Sequence, residues 1–271
     1  MSILDADLTA LAFCWRVERR DGVCIGFTSH DRDLEIGHLI YRAAPGMLPS
    51  SISTSDGFDA DTLDVSGALT SDAITGADLQ AGRWDGASVS IFMVDWEQPE
   101  AEQVQLASGA LGDVSVKGAG FTAELRGRTA LLDRPVVEQT SPECRAELGD
   151  KRCRVDMAGR VQVTRLGALF GDDRIQVAEA SMVPDAYGYG RLRWISGRNS
   201  GLEGAIARSE GLVLTLREPP AYAPAPGDLV EISEGCDRSF ETCRARFLNS
   251  ENFRGEPFLP GMDLLTRYPG A

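Results

Sequence analysis

The stretch FCWRVERRDGVCIGFTSH, residues 13–30, decides how the fold is read. Apolar residues alternate or run together on both sides of Asp21-Gly22, and Asp-Gly is a favoured two-residue type I′ turn between antiparallel strands. The expectation is a β-hairpin followed by another strand ending near Tyr41. With a two-residue turn Arg20 faces Val23, so Cys24 faces Arg19 and Cys14 faces Ser29. Cys14 and Cys24 are then not a cross-strand pair, and they read as buried free thiols used as small apolar side chains.

The same grammar continues downstream. Residues 45–57 are turn-rich. A short helix is expected within 58–86, capped by Ser71-Asp72 and broken at Gly82. Strands are predicted at 87–96, 104–110, 112–117 and 120–126, separated by glycines as in a meander or small barrel. A helical turn within 128–138 is limited by Pro135. A second β-rich block follows, with strands at 161–166, 174–180, 189–197, 206–211, 212–218 and 229–233. The segment SFETCRARFLNS then reads as a short helix capped by Ser239. The chain is mainly β. It divides into an N-terminal β-rich region (1–138), a charged segment with the first cysteine pair (139–158), a second β-rich domain (159–233) and a segment with the second cysteine pair and an aperiodic tail (234–271).

Composition narrows the function classes. The 271 residues carry a net charge of −14, with no run of six or more basic residues. A protein that grips nucleic acid by counterion release needs a basic patch. No apolar run approaches the roughly 18 residues of a membrane span. The N-terminus lacks the pattern of a signal peptide, so folding in a reducing cytosol is expected. Only His30 and His38 could serve a nucleophile–base arrangement, and the sequence lacks G-x-S-x-G, H-E-x-x-H and Walker A motifs. The polar cluster TSHDRD (28–33) lies along a strand end, where neighbours point to opposite faces. An enzyme is not expected.

Four cysteines remain. Cys144 and Cys153 form C-x₈-C, and 82 residues later Cys236 and Cys243 form C-x₆-C. Both segments are charged and loop-like, and their basic residues (Arg145, Lys151, Arg152, Arg154; Arg238, Arg244, Arg246) would favour thiolate ligands. The four read as one metal site. A zinc site usually has tighter C-x₂₋₄-C loops, whereas a larger iron–sulfur cluster tolerates wider ones. The pairs flank the second β block, so a shared site would staple its ends. By analogy with a cross-link over such a loop, this is worth about 4–5 kcal/mol. Zinc, as the staple of an interaction module, and a cytosolic iron–sulfur redox protein both stay open on the residues alone.

The segments LLDRPVVEQTSPECRAELGDKRC, SGRNSGL and GCDRSFETCRARFLNSENFRGEPFLPG, with FTSHDRDLEIGHLIYRAA near the N-terminus, resemble a family of phage-like tail proteins found in prophages and gene transfer agents of alphaproteobacteria. More distantly, the chain is similar to the minor tail protein L of lambdoid phages. The resemblance implies a baseplate hub at the tail tip, built of small β-barrel or sandwich-like domains and forming a trimeric ring around the DNA channel. It implies a [4Fe–4S] cluster held by Cys144, Cys153, Cys236 and Cys243. Its implied partners are other tail proteins, namely the distal tail ring and the fibre- or peptidase-bearing tip, with DNA met only in transit. The protein would be made in the cytoplasm and assembled into a particle.

Overall fold

The computed structural model describes residues 10–44, 48–49, 62–68, 74–117, 120–127 and 137–259. The chain forms two compact units, Met1–Val136 and Val137–Ala271.

The first unit is a sheet of nine strands: β1 (Leu11–Glu18), β2 (Cys24–Thr28), β3 (Leu34–Ile36), β4 (Leu39–Ala43), β5 (Leu48–Pro49), β6 (Thr62–Ala68), β7 (Ser88–Asp95), β8 (Gln103–Lys117) and β9 (Gly120–Arg126). They lie in the order β3-β4-β2-β1-β7-β8-β9-β6-β5. β1 is central, and side chains alternate faces along a strand. Its pairing with β7 sets Cys14 beside Phe92 and Ala12 beside Val94, and sets Trp15 beside Ile91 and Val17 beside Val89. The first set packs with Leu34, Ile36 and Tyr41. The second set packs with Phe27, Trp84, Leu111 and Leu125.

Three local expectations change. The hairpin loop has three residues, Arg20 to Gly22. Arg19 N–H donates to the Val23 carbonyl at 2.9 Å and Gly22 N–H to the Arg19 carbonyl at 3.0 Å. Gly22 is left-handed at φ 86°, which is a turn closed by a bulge rather than a type I′ turn. One extra loop residue shifts every pairing, so Cys14 faces Thr28 and Cys24 faces Glu18. The two cysteines are still not partners. The helix α1 (Gly76–Gln80) is capped by Thr75, whose side chain accepts from Asp78 N–H; Ser71-Asp72 lie outside the described residues, as do 128–136. The segments 104–110 and 112–117 are one strand, β8, with an irregularity between Leu111 and Val114, because a bulge bends a strand without ending it.

The second unit contains β10 (Val161–Phe170), β11 (Arg174–Val177), β12 (Arg191–Trp194), β13 (Glu203–Glu210), β14 (Val213–Leu216) and β15 (Leu229–Ser233), followed by α2 (Phe240–Ala245) and a 3₁₀ turn at Ser250–Asn252. The six strands close a barrel in the order β10-β11-β14-β13-β12-β15. Two long strands turn its corners. β10 pairs with β15 along its first half and with β11 along its second, with a register shift after Leu166. β13 passes from β12 to β14 with a shift after Ile206. Such irregularities let a twisted sheet curl onto itself. The interior is filled by Leu166, Ile175, Val177, Leu192, Trp194, Ile206, Leu214, Leu216, Val230 and Ile232. Among the described residues, no helix is long and apolar enough to cross a membrane.

Candidate metal centre

Barrel closure determines where the cysteine segments emerge. β10 opens the barrel and β15 ends it, and they run antiparallel with Val161 opposite Ser233. The chain therefore enters and leaves at one end, on neighbouring strands. Cys153 lies eight residues before β10, and Cys236 three residues after β15.

An ion-pair hub fixes this exit. Glu234 N–H donates to the Arg160 carbonyl at 2.9 Å. The Glu234 carboxylate accepts from Arg160 Nη1 at 2.6 Å and from Arg246 Nη2 at 2.9 Å. Arg246 also donates to the carbonyls of Gly235 (3.1 Å) and Ala186 (2.7 Å). Both guanidinium groups lie over the Phe247 ring. Gly235 passes so close to the backbone of Gly188 to Gly190 that a Cβ there would overlap it. Only glycine permits that crossing.

Each cysteine loop is held by its own short-range bonds. Ser239 caps α2, its Oγ accepting from Thr242 N–H at 3.1 Å. Asp237 accepts from Ser239 N–H and from the Thr242 hydroxyl, both at 2.9 Å. Burial pushes the Asp237 carboxyl up, but these donors outweigh it and hold the group below its ordinary value. Asp150 moors the first loop, accepting from the N–H groups of Arg152 (2.8 Å), Cys153 (2.6 Å) and Glu147 (3.1 Å). Arg145 grips Glu256 with two bonds at 2.7 and 2.9 Å. The Arg145 guanidinium and Ser141 N–H hold the Glu256 carboxyl down at about 2.

These loops bring the four cysteines into one neighbourhood. Cys144 N–H donates to the Arg238 carbonyl at 2.9 Å, joining the first pair to the segment of Cys236. Asn249 joins Cys153 to Cys243: its side-chain amide donates to the Cys153 carbonyl at 2.6 Å, and its backbone N–H to the Cys243 carbonyl at 3.1 Å. All four thiols are free. Burial and then the thiols of Cys236, Cys144 and Cys153 push Cys243 up to about 11. Cys236 is raised by burial, with Arg238 N–H acting against it and Asp237, Cys144 and Cys153 adding to it.

Several of the basic neighbours are engaged elsewhere. No cationic side chain is among the causes that shift Cys236 or Cys243. Arg145, Arg152 and Arg246 are committed to carboxylates and carbonyls, and Arg238, Arg244 and Arg254 are exposed. The sulfurs are met by N–H groups instead. Arg238 N–H points to Cys236 Sγ at 3.4 Å, Arg254 N–H to Cys144 Sγ at 3.4 Å, and the Asn249 amide approaches Cys153 Sγ at 3.8 Å. Arg154, Arg238 and Leu248, all in the cysteine loops, hold left-handed backbone at φ 61°, 63° and 49°. Such residues cost about 1–2 kcal/mol each and persist where the surroundings impose them.

This donor set suits a metal bound through thiolates. Second-shell N–H groups are what such ligands require. Among the described residues, no group of three or more His, Cys, Asp and Glu is arranged to hold a single ion. The sequence singled out the cysteines but not Asn249 or the Glu234 hub; an Asn just past a helix that holds a cysteine was the only signal for the first.

The other candidates resolve locally. Cys14 is fully buried beside Thr28, and burial raises its thiol. Cys24, read from the sequence as buried, is only partly buried, and its Sγ accepts from Arg16 Nε at 3.3 Å. In TSHDRD, Ser29 Oγ accepts from Phe13 N–H, and His30 Nδ1 accepts from Arg32 N–H while its ring lies 5.1 Å from Trp96. These groups are engaged in holding backbone.

Comparison with known proteins adds three findings. A family model described as baseplate hub protein, N-terminal attachment domain, matches residues 1–156. A second, described as phage conserved hypothetical protein BR0599, matches residues 185–263. Among solved structures, a chain of the "Virion of native gene transfer agent (GTA) particle" superposes with a TM-score of 0.85 and 37% identity, covering 98% of this chain and 94% of that one. A search of curated proteins finds no match.

Proposed function

Because the chain belongs to the baseplate hub protein family, we propose that it is a structural hub in the tail tip of a phage-like particle of the gene transfer agent kind. The observation that carries this reading is the likeness to a chain of a gene transfer agent virion, at 37% identity over 98% of the chain. The hub acts by joining other tail proteins, with the distal tail ring on one side and the fibre- or peptidase-bearing tip on the other. Three copies would form a ring around the channel. A net charge of −14 supports the DNA-transit part of this reading, since an acidic wall does not retain phosphate.

Within the second unit, Cys144, Cys153, Cys236 and Cys243 would hold one [4Fe–4S] cluster. When bound, it would tie the chain entering the barrel to the chain leaving it through two thiolate ligands from each. The wide C-x₈-C and C-x₆-C loops favour a cluster over a single zinc ion, and the N–H groups aimed at three of the sulfurs suit thiolate ligands. The site serves as a staple at the barrel end, and no catalytic step is assigned to it.

Two experiments test the reading. Reconstruction of particles should place three copies around the tail axis; particles with complete tips that lack this chain would refute the hub role. Anaerobically purified protein should absorb near ~400 nm and contain about four irons per chain. Colourless protein with one zinc would replace the cluster by the zinc staple.

A further inference from the structure

We propose that Asn249 is the positioning residue of the cysteine site, clamping Cys153 to Cys243 and directing an N–H toward the Cys153 sulfur. The proposal rests on the cluster reading above. Asn249 is 8% exposed, and every polar group it carries is engaged. Its side-chain amide donates to the Cys153 carbonyl at 2.6 Å and lies 3.8 Å from Cys153 Sγ. Its side-chain oxygen accepts from Asn252 Nδ2 at 2.7 Å, which fixes which end of the amide faces Cys153. Its backbone N–H donates to the Cys243 carbonyl at 3.1 Å, and its backbone carbonyl accepts from the Cys243 thiol at 3.3 Å, a bond of the metal-free protein that a ligating thiolate gives up.

Cys153 and Cys243 belong to different pairs, 90 residues apart in sequence. Cys153 comes from the loop moored by Asp150, and Cys243 from α2. Asn249 hydrogen-bonds to both elements, at the carbonyls of Cys153 and Cys243. It therefore sets their separation before any metal enters. An amide N–H near a ligating thiolate also offsets negative charge on the sulfur, as outer-shell donors do. A serine, alanine or carboxylate at this position cannot supply that bond.

The test uses the full chain, purified anaerobically. Asn249→Asp keeps the shape of the side chain and its acceptor for Asn252, but has no N–H for Cys153. The barrel should unfold at nearly the wild-type temperature, while iron is lost to a chelator about 10- to 100-fold faster and the cluster's midpoint potential moves negative. If Asn249→Asp does not fold, Asn249→Ser replaces it; its hydroxyl is too short to span to the Cys153 carbonyl, so the same faster loss is expected. Iron loss and potential equal to wild type would overturn the inference while leaving the cluster in place. Wild-type protein that takes up no more iron than a chain with all four cysteines changed to serine would overturn the cluster reading itself, and this inference with it.

Discussion

Removing the Glu234 carboxylate should loosen the second unit at the point where the cysteine segments leave the barrel. Its side chain is 9% exposed and accepts from two guanidinium groups, those of Arg160 and Arg246, which are 30% and 22% exposed. A hydrogen bond to a charged group contributes about 1.5–3 kcal/mol, and breaking a buried pair leaves uncompensated charge. Partial exposure lets water relieve some of that cost. Arg246 also keeps its bonds to Gly235 and Ala186. Glu234→Ala should therefore cost about 2–4 kcal/mol, and Glu234→Gln, which keeps one neutral acceptor, about 1–2 kcal/mol. In scanning calorimetry the alanine variant should lower the barrel transition by roughly 10 °C. Hydrogen exchange of peptides from Val161–Phe170 identifies that transition as the barrel's. An alanine variant within about 0.5 kcal/mol of wild type would refute the reasoning, because surface pairs contribute no more than that.

Three further outcomes follow from other sites. Leu192 is fully buried in the barrel, and Leu192→Ala should cost about 2–5 kcal/mol by urea unfolding. Arg238 is left-handed at φ 63° and offers Cys236 only a backbone N–H. Arg238→Gly should then raise stability slightly, by up to about 1 kcal/mol in thermal unfolding, whereas Arg238→Val should lower it. Glu256 has its folded carboxyl held at about 2 by Arg145 and Ser141. Its stabilisation is present above the ordinary glutamate value and is lost as pH falls through the folded one. The difference in melting temperature between wild type and Glu256→Gln should therefore be constant at neutral pH and shrink as pH falls from roughly 4.5 toward 2; a difference unchanged over that range would refute it.

The sequence by itself determined most of the elements and singled out four cysteines. Alternation marked the strands of both units, Ser239 marked the start of α2, and the four cysteines stood out by their loops and their placement around the second β block. Those signals are local, because side-chain periodicity and capping are set within a few residues. Turn geometry was already less legible. Asp21-Gly22 fits a two-residue turn, yet the loop takes three residues and shifts the register, since tertiary pairing rather than the dipeptide settles where the ladder begins. The placement of the basic residues was not legible either. Proximity in sequence put them beside the cysteines, but the folded chain uses several of them on carboxylates and carbonyls and brings backbone and amide N–H groups to the sulfurs. Only the tertiary structure decided that Cys153 and Cys236 share one end of the barrel. That follows from closure: when β10 pairs with β15, Val161 must lie opposite Ser233. The distance along the chain between those residues says nothing of their distance in space until the sixth strand returns to the first.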